Sequence, residues 1–199
     1  MNDEFELPFP QYRCAVSGED LPLGEARMTV TGAPATPVKR VPYEVRKATE
    51  ADEDQIELLC ERALGETDVD VFGKTFDVLA GVNLIAVLQG ELIGLLSVAI
   101  DGGEASIVML SVYPDYQGKG VGGALLKAAE KLAAKRGLSF VRAAVTNDDI
   151  PQIYFYQRHG FAIYEVGVGE IADRFGSASP GFSGIPVRDE IRLRRATCP

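Results

Sequence analysis

At 199 residues, 46% hydrophobic and 25% charged, the chain has room for one sizeable core and an ordinary globular make-up. Its formal net charge of −9, with acids and bases interleaved, excludes the basic stripe of a nucleic-acid binder. No apolar run approaches the ~20 residues of a membrane helix, and the acidic, proline-bearing start from Met1 to Pro10 is unlike a secretory leader. Cys14, Cys60 and Cys198 lie too far apart for a disulfide framework or a metal site, so the expectation is a reducing, cytoplasmic setting without metal.

Residues 1–42 carry six of the eleven prolines and read as an accessory extension. Two alternating pieces in it, Arg13–Val16 and Arg27–Thr31, have the pattern of a hairpin. Regular structure is expected from Tyr43, with a short strand to Lys47. Thr49 to Asp52 then forms a capping box, and Ile56, Leu59, Cys60, Ala63 and Leu64 share one helical face. A second short helix is expected through Val71–Leu79. Leu84–Leu88, Glu91–Ile100 and Ala105–Val112 read as an antiparallel meander, turned at Gln89-Gly90 and at Asp101 to Gly103 and stopped by Pro114.

A long helix follows over Gly120–Arg136, with Val121, Leu125, Ala128 and Leu132 as its apolar stripe and Gly137 as its stop. Phe140–Val145 is a strand and Pro151–His159 a short helix ended by Gly160. Phe161–Val168 and Glu190–Arg195 are closing strands around a Ser177–Gly184 loop. The one basic cluster, Arg192, Arg194 and Arg195, falls on the last of these. The order predicts an α/β (α+β-like) fold with a mixed, mostly antiparallel central sheet flanked by helices.

The most informative stretch runs from Leu110 to Gly123. Four glycines, Gly118, Gly120, Gly122 and Gly123, stand at a helix N-terminus, where bare amides and the helix dipole favour phosphate oxygens, and Lys119 adds a positive charge. The phosphate-loop pattern fails because Lys119 is followed by Gly120 rather than Ser or Thr. Gly118, Gly120 and Gly123 match the dinucleotide fingerprint, but Pro114 to Gln117 separate them from the strand and Phe140–Val145 carries no acid.

Gln117, Gly120 and Gly122 satisfy a different pattern, Gln/Arg-x-x-Gly-x-Gly/Ala, directly after a strand ending at Val112. One strand later, Asn147 to Pro151 leads to Phe155-Tyr156-Gln157-Arg158-His159-Gly160-Phe161. The two segments together resemble the signatures of the Gcn5-related N-acetyltransferases, and the resemblance spans roughly residues 43–199. It implies the acyl-CoA N-acyltransferase fold and transfer of acetyl from acetyl-CoA, as co-substrate, to the amine of a small molecule, peptide or protein, in a family where homodimers are common. A non-catalytic acyl-CoA-binding domain on the same fold is the alternative.

By the same resemblance, Leu110, Ser111 and Val112 hold the pantetheine arm in a gap between splayed strands. Gln117, Gly118, Lys119, Gly120, Val121, Gly122 and Gly123 surround the pyrophosphate, and Asn147 contacts the coenzyme arm or else forms a turn. Tyr156 corresponds to the general acid, since a phenol with pKa near ~10 is protonated at neutral pH. Arg142 occupies a position where some members carry a glutamate base. Glu104 is the substitute candidate, ahead of Asp189 and Glu190, all three otherwise reading as surface carboxylates; a water chain can serve instead. His159, at a helix end, is assigned no chemistry.

A chain beginning at Pro42 should therefore unfold cooperatively in a thermal melt and still bind acetyl-CoA by calorimetry. Loss of cooperative folding on that truncation would make the extension part of the core.

Overall fold

The computed structural model describes residues 42–175 and 179–197. The alternating pieces at 13–16 and 27–31 lie outside the described residues, as do Cys14 and Cys198. The first strand, β1 (Glu44–Lys47), ends at a clamp that starts the first helix. Asp52 Oδ2 accepts from the Thr49 amide and hydroxyl, each at 2.8 Å, while both terminal nitrogens of Arg46 donate to the same carboxylate at 2.7 Å. The expected capping box thus opens a 3-10 turn over Glu50–Asp52 that runs into α1 (Glu53–Leu64). Ile56, Leu59 and Cys60 are buried, whereas Leu64 at the helix end is exposed.

Between α1 and the meander the structure corrects the expected helix at Val71–Leu79. This segment is a hairpin of β2 (Asp68–Val71) and β3 (Lys74–Asp77), paired Val69↔Phe76 and Val71↔Lys74. The alternation Asp68-Val69-Asp70-Val71 has the period of a strand, and Phe72 (φ 54°) and Gly73 (φ 70°) make its left-handed two-residue tip.

The meander then forms as expected, with β4 (Val82–Leu88), β5 (Glu91–Asp101) and β6 (Glu104–Val112). All residues of β5 from Leu92 to Val98 are buried, which is why this stretch reads as a nearly unbroken apolar run. After it come α2 (Val121–Lys135), β7 (Phe140–Thr146), α3 (Ile150–Arg158), β8 (Ala162–Gly167) and a short α4 (Glu170–Phe175) not foreseen in the sequence. Two-residue strands β9 (Ser179–Pro180) and β10 (Pro186–Val187) pair with each other, and β11 (Glu190–Ala196) closes the fold.

The sheet has the order β1-β4-β5-β6-β7-β11-β8, antiparallel throughout except where β7 runs parallel to β6. One core lies on the α2 and α3 side, holding Ile107, Val121, Leu125, Ala143, Tyr156 and Leu193. The other lies under α1 and the hairpin, with Val78, Ile85, Leu95, Val108 and Met109. The buried stripe of α2 is Val121, Leu125, Leu126, Ala129 and Ala133, so Ala128 and Leu132, expected on it, sit half-buried at its flank.

The Arg46 guanidinium holds the Asp52 carboxyl well below the usual carboxylate range, with the Thr49 bonds adding to it. A depressed folded pKa means that the stabilisation is complete above the unfolded value near ~4 and fades as pH falls through the folded one. Wild type should therefore outlast Asp52→Asn in urea at pH 6, and the difference in midpoint should shrink at pH 3. A gap of equal size at both values would assign the loss to packing instead of charge.

Candidate active site

β6 and β7 pair only through Ala105↔Val141, Ser106↔Arg142 and Ile107↔Ala143, after which the strands part. Just past that point Val108 has no partner on β5, because the register shifts between Ser97↔Met109 and Val98↔Ile107. This bulge puts Val108 and Met109 on the same face, in the α1-side core, and re-aims the rest of β6. Leu110 and Val112 then pack against the α2-side cluster, which also contains Val145 of β7. The cleft between residues 108–112 and 144–146 has backbone N–H and C=O groups along the β6 wall, because only alternate groups of a strand face one neighbour.

The mouth of the cleft meets the glycine turn. Gln117 Nε2 donates to the Val112 carbonyl at 2.9 Å, folding the turn back onto the strand end. The Lys119 ammonium lies 5.2 Å from the centre of the Tyr116 ring. Gly118 (φ 70°) and Gly120 (φ 85°) supply the left-handed residues of the turn. No side chain caps α2, its first turn has no acid, and its first helical bond is Ala124 N–H to the Gly120 carbonyl at 3.0 Å. The preceding amides, Val121 to Gly123, therefore have no partner within the helix.

Gly122 and Gly123 are glycines for a different reason. A Cβ at 122 would lie 3.4 Å from the Phe155 ring, and one at 123 would lie 2.8 Å from His159 Nε2. They let α3 pack on the start of α2. The His159 ring is half-buried, packs 4.4 Å from Phe155 and is bound at Nδ1 to the Phe155 carbonyl, so this side chain serves packing at the helix end.

Asp149 caps α3 by accepting from the Gln152 amide at 2.9 Å. Tyr156, 2% exposed, packs in the cluster that both cleft walls touch, with Phe155 and Phe161 rings 5.4 and 5.3 Å away. Burial, aided by the Asp149 charge, pushes its phenol far above the ordinary tyrosine range, so the hydroxyl keeps its proton at any physiological pH.

The opposite face of the cleft vertex is polar. Arg142 donates from Nε to Ser106 Oγ at 2.8 Å, reaches Glu104 at 3.2 Å and lies 4.2 Å from the centre of the Phe72 ring. Arg192, opposite Ala144, binds Glu165 at 2.8 Å, Glu190 at 2.7 Å and also Glu170. Of these groups Phe72, Glu104, Arg142, Glu165 and Arg192, with Lys74, Gly102 and Tyr164, wall a cavity of about 310 Å³. Neither Glu190 nor Asp189 is a surface carboxylate: they are 2% and 7% exposed. Glu190 also accepts from the Phe72 amide at 3.1 Å, which ties down the hairpin tip, a link across 118 residues that no local pattern announces.

Asn147, expected beside the coenzyme arm, is committed to a strap formed by residues 186–189. Its Oδ1 accepts from the Arg188 and Asp189 amides at 2.8 and 2.9 Å, and its Nδ2 donates to the Pro186 carbonyl at 3.0 Å. Asp148 holds the turn that precedes the strap by accepting from the Phe182 amide at 2.9 Å. Asp189 in turn accepts from the Gly169 amide at the start of α4 at 2.8 Å.

Among the described residues no three His, Cys, Asp or Glu side chains gather as a metal site requires, and no helix is long and apolar enough to cross a membrane. Residues 49–161 match the family described as Acetyltransferase (GNAT). The chain is 35% identical over 108 residues to the uncharacterized protein YdhI of Bacillus subtilis, covering 52% of this chain and 66% of that one. It is 36% identical over 97 residues to a mycothiol acetyltransferase of Clavibacter sepedonicus, covering 49% of this chain and 32% of that one. It thus spans less than two thirds of the length of either relative. Among solved structures, a GNAT family acetyltransferase from Elizabethkingia anophelis with acetyl-CoA bound superposes with a TM-score of 0.60 at 21% identity, over 77% of this chain and 97% of that one. At that identity the likeness shows the shared fold.

Asn147→Ala removes three hydrogen bonds at once, and urea unfolding should report a loss of about 1–3 kcal/mol. Hydrogen exchange at the amides of Arg188 and Asp189 should quicken most; unchanged exchange there would remove the strap from the role of Asn147.

Proposed function

Because the chain belongs to the acetyltransferase (GNAT) family, we propose that it moves the acetyl group of acetyl-CoA to an amine by direct attack. The observation that carries this reading is the cleft vertex, where β6 and β7 part with a protonated phenol in the core on one face and a polar cavity on the other. In this reading the pantetheine arm lies along Leu110, Ser111 and Val112 and completes their backbone bonding as an added strand would. The amides from Gly118 to Gly123 face the pyrophosphate, with the positive end of α2 behind them and Lys119 beside them. Gln117 shapes the turn from its bond to Val112. Asn147 contributes at one remove, by fixing the strap.

The acceptor enters from the cavity, and its nitrogen attacks the thioester carbon. The carbonyl oxygen gains negative charge, which an amide at the end of the β6 wall offsets. Collapse breaks the carbon–sulfur bond, and Tyr156 gives its proton to the departing thiolate. Glu104, held by Arg142 on the cavity wall, takes a proton from the amine directly or through water. The near-complete burial of Tyr156 favours one alternative role, in which its ring is packing and water is the acid.

Tyr156→Phe keeps the ring and deletes the hydroxyl. Thiol release with a reactive amine should fall about 10²-fold or more, in the range of lost acid catalysis. Acetyl-CoA affinity should change little, because one hydroxyl contributes about 0.5–1.5 kcal/mol as a hydrogen bond. Wild-type turnover in the Phe variant, with chemistry rate-limiting, would leave the acid to water. Acetyl-CoA binding by the wild type without thiol release across amines, amino acids and peptide N-termini would instead mark a binding domain.

A further inference from the structure

The glycine turn before α2 is open on its outer side. Chain neighbours aside, a Cβ on Gly118 would meet nothing within 4 Å among the described residues. One on Gly120 would meet a single atom, the hydroxyl oxygen of Tyr43, at 3.8 Å. Both glycines are left-handed, so a side chain at either position would be strained and the backbone of the turn stays bare. The phenol that stands beside it comes from a distant part of the chain.

The sheet explains how Tyr43 reaches this place. β1 pairs with β4 from Glu44↔Val87 onward, so Tyr43 lies one residue beyond the pairing. At this end of the sheet β4 turns into β5 at Leu88↔Glu91, and Val112 of β6 pairs with Gly94. The other end of β1 is held by the clamp of Arg46 and Thr49 on Asp52. The Tyr43 ring is half-buried and packs against the α2-side core, which also holds Val121, the first residue of α2. Strand pairing and packing thus fix the ring, and the hydroxyl is left at the turn.

Among the described residues that hydroxyl has no hydrogen-bond partner, whereas a tyrosine hydroxyl in a partly buried setting usually has one. The first amides of α2 are in the same condition, since no side chain caps the helix. A phenol donates as readily as an amide, and a phosphate oxygen accepts from both.

Resting on the acetyl-transfer reading above, in which this turn faces the pyrophosphate, we infer that Tyr43 is a further coenzyme-binding residue whose hydroxyl donates to a pyrophosphate oxygen beside the first amides of α2. Its role is binding and not chemistry, because the whole pantetheine arm separates the pyrophosphate from the thioester.

Tyr43→Phe in the full chain keeps the ring and its packing and deletes the hydroxyl. Calorimetry should show acetyl-CoA binding weakened about threefold to tenfold, the effect of one lost hydrogen bond. S-acetylpantetheine, which has the arm and the thioester but no phosphate, should bind both proteins equally. In thiol release the KM for acetyl-CoA should rise by the same factor while kcat stays unchanged. Equal affinity of the two proteins for acetyl-CoA would overturn the inference. So would an equal loss for both ligands, which would assign the hydroxyl to the fold or the arm; either result leaves acetyl transfer standing. If the wild type binds no acetyl-CoA the transfer reading fails, and inorganic pyrophosphate then decides the site alone, with the amide NMR shifts of Gly118 to Gly123 as readout. Saturation at a lower concentration in the wild type than in Tyr43→Phe upholds the inference; identical curves or no shift overturn it.

Discussion

Everything in the proposed site depends on where β6 and β7 stop pairing. A parallel neighbour reached through a helix would ordinarily extend its ladder along the whole strand. Here three residues pair, the Val108 bulge intervenes, and the strands diverge with each still anchored on its outer side, β6 to β5 and β7 to β11. The sheet is thus two half-sheets joined by a short seam. The divergence opens a row of backbone groups without unfolding either strand, while α2, which leaves from one wall and returns to the other, packs chiefly on β5, β4 and β6. The turn before α2 has to leave the cleft sharply, and the left-handed glycines with the Gln117 bond achieve this.

The polar face is a problem of like charges resolved by neighbours of two kinds. Arg142 and Arg194 are directly opposite on β7 and β11, a pairing that repels. Each guanidinium lies over an aromatic ring, Phe72 for one and Phe140 with Tyr164 for the other, and Arg142 also has Glu104. Deep in the same face Glu190 is enclosed at 2% exposure, a burial that is costly for a charge unless its oxygens are satisfied. The Phe72 amide and the Arg192 guanidinium satisfy them. The hairpin is thereby fastened at its tip, where a two-strand ribbon alone would be marginal.

Much of this was legible in the sequence, and the exceptions have physical causes. The meander, α2, α3 and the closing strands follow from runs whose period and turn residues agree with each other. The hairpin at 68–77 did not, because its tip is Phe72-Gly73, and a bulky residue at a left-handed position does not look like a turn. The glycine-rich stretch does form the turn into α2, but density alone could not tell that Gly122 and Gly123 answer to Phe155 and His159 on another helix. Asn147 carries no local mark of its three bonds to residues about 40 positions away. The enclosure of Asp189 and Glu190 is equally a matter of distant partners, Gly169 and Phe72, and two acids set between arginines read as surface.

The close seating of α3 on the first turn of α2 has a mechanical consequence. With His159 pressed against Gly123 and Phe155 against Gly122, no slack remains between the two helices at that end. Tyr156 rides on the middle of α3, so a side chain at 122 or 123 large enough to push α3 off the start of α2 would displace the phenol as well.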